Sequence, residues 1–106
     1  MIRGTTPIHV FYCDVDLSDS ESLYITYEQG NTTIEKTKED CSFSIVSEED
    51  YKYAVEVRLT QEETLSFKTG DYKAVVQITA KFGDGTVLKS NILPVCISPT
   101  LKKEVV

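Results

Sequence analysis

Apolar and polar residues alternate strictly along two stretches of the chain, and this pattern predicts two long β-strands. In residues 51–59 the alternating apolar set is Tyr51, Tyr53, Val55, Val57 and Leu59. In residues 72–82 it is Tyr72, Ala74, Val76, Ile78, Ala80 and Phe82. A period of two turns one face of a strand toward a core and the other toward solvent. The two stretches therefore predict a packed β-sheet domain.

Five other runs predict further strands, at residues 6–13, 23–28, 32–38, 41–46 and 86–98. Alternation places Leu23, Ile25 and Tyr27 on an inward face, and likewise Cys41, Phe43 and Ile45. The first strand carries Ile8, Val10 and Tyr12 on one face.

Prolines and turn residues mark where these strands lie and end. Pro7 near the start of the first strand predicts an edge strand, and Pro94 inside the last predicts an edge or a bulge, because proline cannot donate to a sheet ladder. Residues 29–31 and 83–85 are glycine-containing hairpin turns. Thr60 and Glu63 have the spacing of a capping box, which predicts one helical turn after residue 59, with Leu65 and Phe67 closing the end of the core.

Seven short strands without an amphipathic helix predict an all-β fold, either a sandwich or a small barrel. We favour an immunoglobulin-like β-sandwich of about seven strands with Greek-key connections. Residues 1–100 form the single predicted domain, and residues 101–106 a short C-terminal tail. Tyr72 either bonds back across the corner at Gly70 and Asp71 or is simply the first core residue of its strand. The usual cysteine is replaced by Ala74 and tryptophan is absent, so no disulfide is expected.

Charge and cysteine content exclude several classes of protein. The net charge of −6, with 11 dispersed Lys and Arg residues, argues against nucleic-acid binding, which depends on basic contacts to phosphates. No segment approaches the ~20 apolar residues of a membrane span, and the N-terminal residues do not resemble a secretion signal. We therefore expect synthesis in a reducing cytoplasm, with Cys13, Cys41 and Cys96 as buried free thiols.

Candidate chemistry along the chain is weak. His9 is the single histidine, and no serine or cysteine lies in a nucleophile signature, so we interpret it as a surface or edge-strand residue. Residues 14–21 begin like a calcium loop. A calcium loop that began at Asp14 would have Asp19 at its sixth position, where it needs glycine, and Ile25 at its twelfth position, where it needs glutamate. We therefore predict no enzyme, no cofactor, and no catalytic, cofactor-binding or metal-ligating residue.

Six tyrosines are many for 106 residues. Tyrosine is enriched in protein interfaces, but it also supplies much of the burial in a small domain. Core packing with hydroxyls at the rim is the favoured interpretation, and alternation indicates that Tyr24 is exposed.

Short motifs distributed along nearly the whole chain resemble a family of small structural proteins encoded by prophages and tailed phages of Gram-positive bacteria. The matching segments are residues 1–7, 35–37, 39–41, 59–65, 84–86 and 90–92. Residues 59–65 and 84–86 also resemble the immunoglobulin-like N-terminal domain of phage baseplate proteins.

The resemblance implies a non-enzymatic structural or assembly protein, associated with a tail or baseplate and acting through protein–protein contacts. Its expected partners are other virion or phage-encoded proteins and further copies of itself, with no nucleic acid and no membrane. The expected location is the virion, after synthesis in the bacterial host cytoplasm. The alternative is a carbohydrate- or cell-surface-binding module, which needs exposed aromatic residues beside polar groups in a concavity.

Overall fold

The computed structural model describes residues 1–69 and 73–98, which fold into two antiparallel sheets around one core. The strands are β1 (Ile8–Cys13), β2 (Ser22–Gln29), β3 (Thr32–Thr37), β4 (Cys41–Ser47), β5 (Lys52–Arg58), β6 (Ala74–Lys81), β7 (Val87–Lys89) and β8 (Leu93–Val95). A short helix, α1 (Gln61–Leu65), follows β5. The first sheet has the order β1-β5-β4, and the second the order β3-β2-β6-β7, with β8 also paired to β6. The all-β prediction is confirmed.

The inward-facing residues of the alternating strands form the core, as the sequence pattern predicted. Val55, Val57 and Leu59 are fully buried on the first sheet. The second sheet contributes Leu23, Ile25, Tyr27, Ala74, Val76, Ile78 and Ala80. Full burial of one Val or Leu side chain contributes about 1.5–3 kcal/mol, so these faces supply the main driving force for folding.

The predicted turn after β5 forms as a capped helix. Glu63 N donates to Thr60 Oγ1 at 3.1 Å, and Thr60 N donates to Glu63 Oε1 at 2.7 Å. These two bonds satisfy backbone donors that a helix start otherwise leaves unpaired. Phe67 is completely buried, as predicted, whereas Leu65 is half-buried.

The N-terminal segment is tied to α1 by side-chain hydrogen bonds. Arg3 Nη2 donates to Leu65 O at 2.7 Å, and Gly4 N donates to Thr64 Oγ1 at 2.9 Å. The hydroxyl of Thr64 donates in turn to Thr5 O at 2.8 Å. Thr64 is fully buried, so its hydroxyl needs these partners. Two motifs about sixty residues apart in sequence thus form one structural unit.

The last predicted strand is divided, which makes eight strands in the described residues where seven were expected. Between the pairs Thr79↔Lys89 and Val76↔Leu93, β6 advances three residues and its partner advances four. The extra residue is a bulge. There Ile78 N donates to the Ser90 hydroxyl, at 2.9 Å, in place of a backbone carbonyl. Pro94 lies in edge strand β8, as its missing N–H predicted.

Two inward assignments are wrong at strand ends. Tyr51 precedes β5 in a turn with φ 53°, and 68% of its surface is exposed. Ile45, which is 58% exposed, lies where the β4–β5 register shifts between Ile45 and Ser47. Turn geometry and a bulge override alternation at both positions. The predicted corner at residues 70–72 and the predicted tail at 101–106 lie outside the described residues.

Candidate interaction surface

One side of the sandwich, between β1 and the β7–β8 edge, is open and apolar. A groove of about 690 Å³ runs along it, with Phe11, Leu17 and Ile78 in its lining. Leu17, which lies within residues 14–21, belongs to the core. We call this side the open edge surface and define it by its exposed apolar residues, Ile8, Val10, Tyr12, Leu88 and Leu93. Apolar patches of this kind commonly mark interaction sites.

The outer face of β1 supplies three of these residues. Ile8 is 51%, Val10 40% and Tyr12 74% exposed. The sequence had correctly grouped them on one face, and the structure turns that face to solvent. β1 is an edge strand, as Pro7 predicted.

The backbone of β1 is also unpaired along its free edge. Leu59 N donates to Pro7 O at 3.1 Å, so residues 7 and 59 form a hydrogen-bonded pair of the β1–β5 ladder. Such pairs alternate in antiparallel sheets. The register His9↔Val57 and Phe11↔Val55 therefore directs the N–H and C=O groups of odd-numbered residues toward β5. The groups of Ile8, Val10 and Tyr12 point to the open edge.

A smaller hollow beside this edge brings two tyrosines together. It has a volume of about 550 Å³, and its lining includes Tyr12, Tyr51, Asp14, Asp50 and Lys52. Both tyrosines are largely exposed, so the expectation that tyrosines pack in the core is wrong for them. It holds for Tyr27, which is completely buried, and the predicted exposure of Tyr24 is confirmed at 39%.

His9 points into the sandwich, half-buried, and its Nδ1 lies 2.5 Å from the hydroxyl of Tyr27. Burial, followed by the positive N-terminal amino group, lowers the pKa of His9. Burial raises the pKa of Tyr27, which therefore stays protonated and donates to the neutral imidazole. The interpretation of His9 as an edge-strand residue is correct, but its side chain does not lie on the surface.

The three cysteines are free thiols, so the chain has no disulfide. Cys13 and Cys41 are half-buried, and Cys96 is exposed, which corrects the expectation that all three are buried. Burial raises the pKa of Cys13, and burial together with nearby Asp40 raises the pKa of Cys41 to about 11. A thiol with a raised pKa is a poor nucleophile near neutral pH.

A buried ion pair lies at the α1 end of the core. Lys36 Nζ is 2.6 Å from Glu63 Oε1, and the two side chains are only 11% and 24% exposed. Burial raises the pKa of Glu63, but hydrogen bonds from Lys36 and Thr60 outweigh it, and the net pKa is lowered. This carboxylate both caps α1 and neutralises Lys36.

Within residues 14–21, the carboxylate of Asp16 bonds to the local chain and does not face a metal site. Asp16 Oδ1 accepts hydrogen bonds from Ser18 N at 3.1 Å and Ser18 Oγ at 2.6 Å, and so caps a short 3₁₀ turn, Leu17–Asp19. Within the described part of the chain, no three His, Cys, Asp or Glu side chains lie close enough together to hold a metal ion.

Within the described ranges, no helix combines the length and apolar character needed to cross a bilayer. No protein-family model and no curated protein matches the chain.

Proposed function

We propose that this chain is a non-enzymatic structural or assembly protein of a tailed phage or prophage, associated with the tail or baseplate, that acts through protein–protein contacts. The observation that carries the contact role is the open edge surface, where exposed apolar side chains adjoin unpaired strand backbone. A strand of a partner protein can bind such an edge through main-chain hydrogen bonds, and side-chain pockets beside the edge give the binding its specificity. In this proposal the protein is made in the bacterial host cytoplasm and becomes a virion component.

The phage assignment is supported by the resemblance of the motifs and by their roles in the fold. Residues 1–7 and 59–65 contact each other through the bonds of Arg3 and Thr64. A shared pair of segments that depend on each other is a more specific likeness than either segment alone.

The chain order also suits the immunoglobulin-like Greek key that we propose for the fold. The chain passes from the first sheet (β1) to the second (β2, β3), returns to the first (β4, β5) and then crosses again (β6, β7, β8). Antiparallel sandwiches with repeated crossings of this type are typical of that architecture.

Particle composition tests the proposed function. Particles induced from a strain that carries the gene are purified on a density gradient and probed with an antibody against the chain. We expect the protein at a constant ratio to the tail proteins. Its absence from both particles and tail intermediates, while it is present in the cell, would overturn the proposal.

A carbohydrate- or cell-surface-binding module is the second candidate, because the hollow beside Tyr12 and Tyr51 joins exposed aromatic rings to Asp14, Asp50 and Lys52. Sugar rings stack on aromatic faces while carboxylates accept from hydroxyl groups. Screening on a glycan array tests it: binding that Tyr51→Ala abolishes supports this candidate. No binding to any host surface glycan removes it.

A further inference from the structure

We propose that β1 pairs with β1 of a second copy of this chain, in an antiparallel register with the two-fold axis at Val10. This inference rests on the proposed contact function and names its partner. In this register Val10 lies opposite Val10 of the second copy, and Ile8 lies opposite its Tyr12. The first sheets of the two copies then form one continuous six-stranded sheet.

Backbone geometry selects this register. The unpaired N–H and C=O groups of β1 belong to Ile8, Val10 and Tyr12, as the β1–β5 ladder requires. With the two-fold axis at Val10, these three residues lie opposite the same three residues of the second copy. Each opposed pair exchanges two hydrogen bonds. Moving the axis to Phe11 would place Ile8 opposite Asp14, beyond the end of the strand.

The side chains of β1 are self-complementary in the same register. On the outer face, Ile8 meets an aromatic ring and Val10 meets its own copy, both favourable cross-strand pairs. Identical surfaces that complement themselves form isologous contacts, the usual basis of two-fold dimers.

Charge also favours a second copy at this edge. The chain carries a net charge of −6, which opposes self-association elsewhere, but β1 contains no charged residue. Exposed Arg58 pairs with Ile8 across the β1–β5 ladder, and exposed Asp14 directly follows β1. The two-fold operation brings Arg58 of each copy toward Asp14 of the other. Arg58 lies one strand in from the interface, so at each end of the strand pair opposite charges attract each other across β1 without direct contact.

The other strand edges in the described residues are less suited to pairing. β3 carries Glu35 and Lys36, and the β7–β8 edge is interrupted by its bulge and contains Pro94. β4 is bulged near Val46. Charge, proline and bulges are devices that protect edges from pairing, and β1 has none of them.

Mass measurement and amide exchange on the purified full chain test the inference. We expect light scattering to show a species of twice 11.9 kDa as concentration rises. In that species the amides of Ile8, Val10 and Tyr12 become protected from exchange. The amides of His9 and Phe11, already bonded to β5, are protected in the monomer as well.

Val10→Lys places two like charges at the two-fold axis and should raise the dissociation constant at least about tenfold. Val10 is already 40% exposed, so lysine fits the monomer, and circular dichroism checks its fold. Tyr12→Lys provides a second variant with the same expectation. Ser44→Lys adds the same charge on exposed β4 of the same sheet and should leave the dimer intact.

Three results would overturn the pairing. The first is a monomer at every soluble concentration. The second is a dimer whose affinity is unchanged in folded Val10→Lys and Tyr12→Lys variants, and the third is a loss of dimer affinity in Ser44→Lys as large as in those two variants. A monomer that is nevertheless found in particles removes this inference alone. A dimer that is absent from particles removes the proposed phage function and keeps the pairing.

Discussion

The hydroxyl of Tyr27 in β2 and Nδ1 of His9 in β1 lie 2.5 Å apart and join the two sheets through the core. Tyr27 is completely buried, and its ring also contacts Phe67 edge-on, with centroids 6.5 Å apart. A directional bond between the sheets favours one relative placement of them, since any shift would leave the buried Tyr27 hydroxyl unpaired.

Tyr27→Phe should lower the free energy of unfolding by about 1 kcal/mol, because it leaves His9 Nδ1 without its donor while the ring stays packed. The loss is at the low end for a buried hydrogen bond, since half-exposed His9 can recruit water. Urea unfolding measures it. Tyr24→Phe, on the exposed face of the same strand, is the matched control and should change little. Equal effects of the two would contradict the proposed link between the sheets.

Stability should fall with acidification through the range in which His9 titrates. The pKa of His9 in the folded chain is below its ordinary 6.5, so the unfolded state binds more protons in that interval. This contribution is fully present above pH 6.5 and is lost as pH falls through the lowered pKa. The unfolding free energy of the wild type minus that of His9→Gln should therefore decrease on acidification. A difference that is constant with pH would refute the assignment.

Glu63→Gln should destabilise the fold by about 2 kcal/mol, because the amide can keep the cap of α1 but leaves Lys36 as a nearly buried, unpaired charge. Glu62→Gln, an exposed neighbour, is the control. Because the pKa of Glu63 is lowered, the contribution of the pair is present above the ordinary pKa and is lost as pH falls through the lowered value. Thermal or urea unfolding at neutral and acidic pH checks both statements, and equal stability of the two variants would exclude a role for the ion pair.

Tyr51→Gly should raise stability by about 1 kcal/mol. Tyr51 has φ 53°, a left-handed conformation that costs a side-chain-bearing residue about 1–2 kcal/mol and glycine almost nothing. Its side chain is 68% exposed, so little burial is lost. Denaturant midpoints of the two proteins provide the measurement. A marked loss of stability would mean that the tyrosine ring contributes packing that outweighs the strain.

Val57→Asp should unfold the domain, since it buries a charge at a site that is 1% exposed and the total stability of a domain is only about 5–15 kcal/mol. Glu56→Lys, on the opposite face of β5, should leave the circular dichroism spectrum and melting temperature nearly unchanged. If both variants fold equally well, the facing of β5 is wrong.

The open edge surface was only partly predictable. Pro7 indicated an edge strand, and alternation grouped Ile8 with Val10 and Tyr12. Both faces of β1 are apolar or nearly so, because His9, Phe11 and Cys13 alternate with them. No local rule decides which of two such faces turns inward. The pairing of β1 with β5 decides it, because Val55 and Val57 bring their neighbours Phe11 and His9 to the core side.

The sequence by itself determined the strands of the core, their inward faces and the capped turn at Thr60, because period-two alternation and capping act over a few neighbouring residues. Only the tertiary structure decided the rest. The division of the last strand, the bond between His9 and Tyr27 and the exposure of the β1 outer face all depend on pairing with other segments of the chain. These contacts form between strands. The hydrogen-bond register and the burial of a residue both depend on two strands at once, so the sequence of neither strand determines them alone.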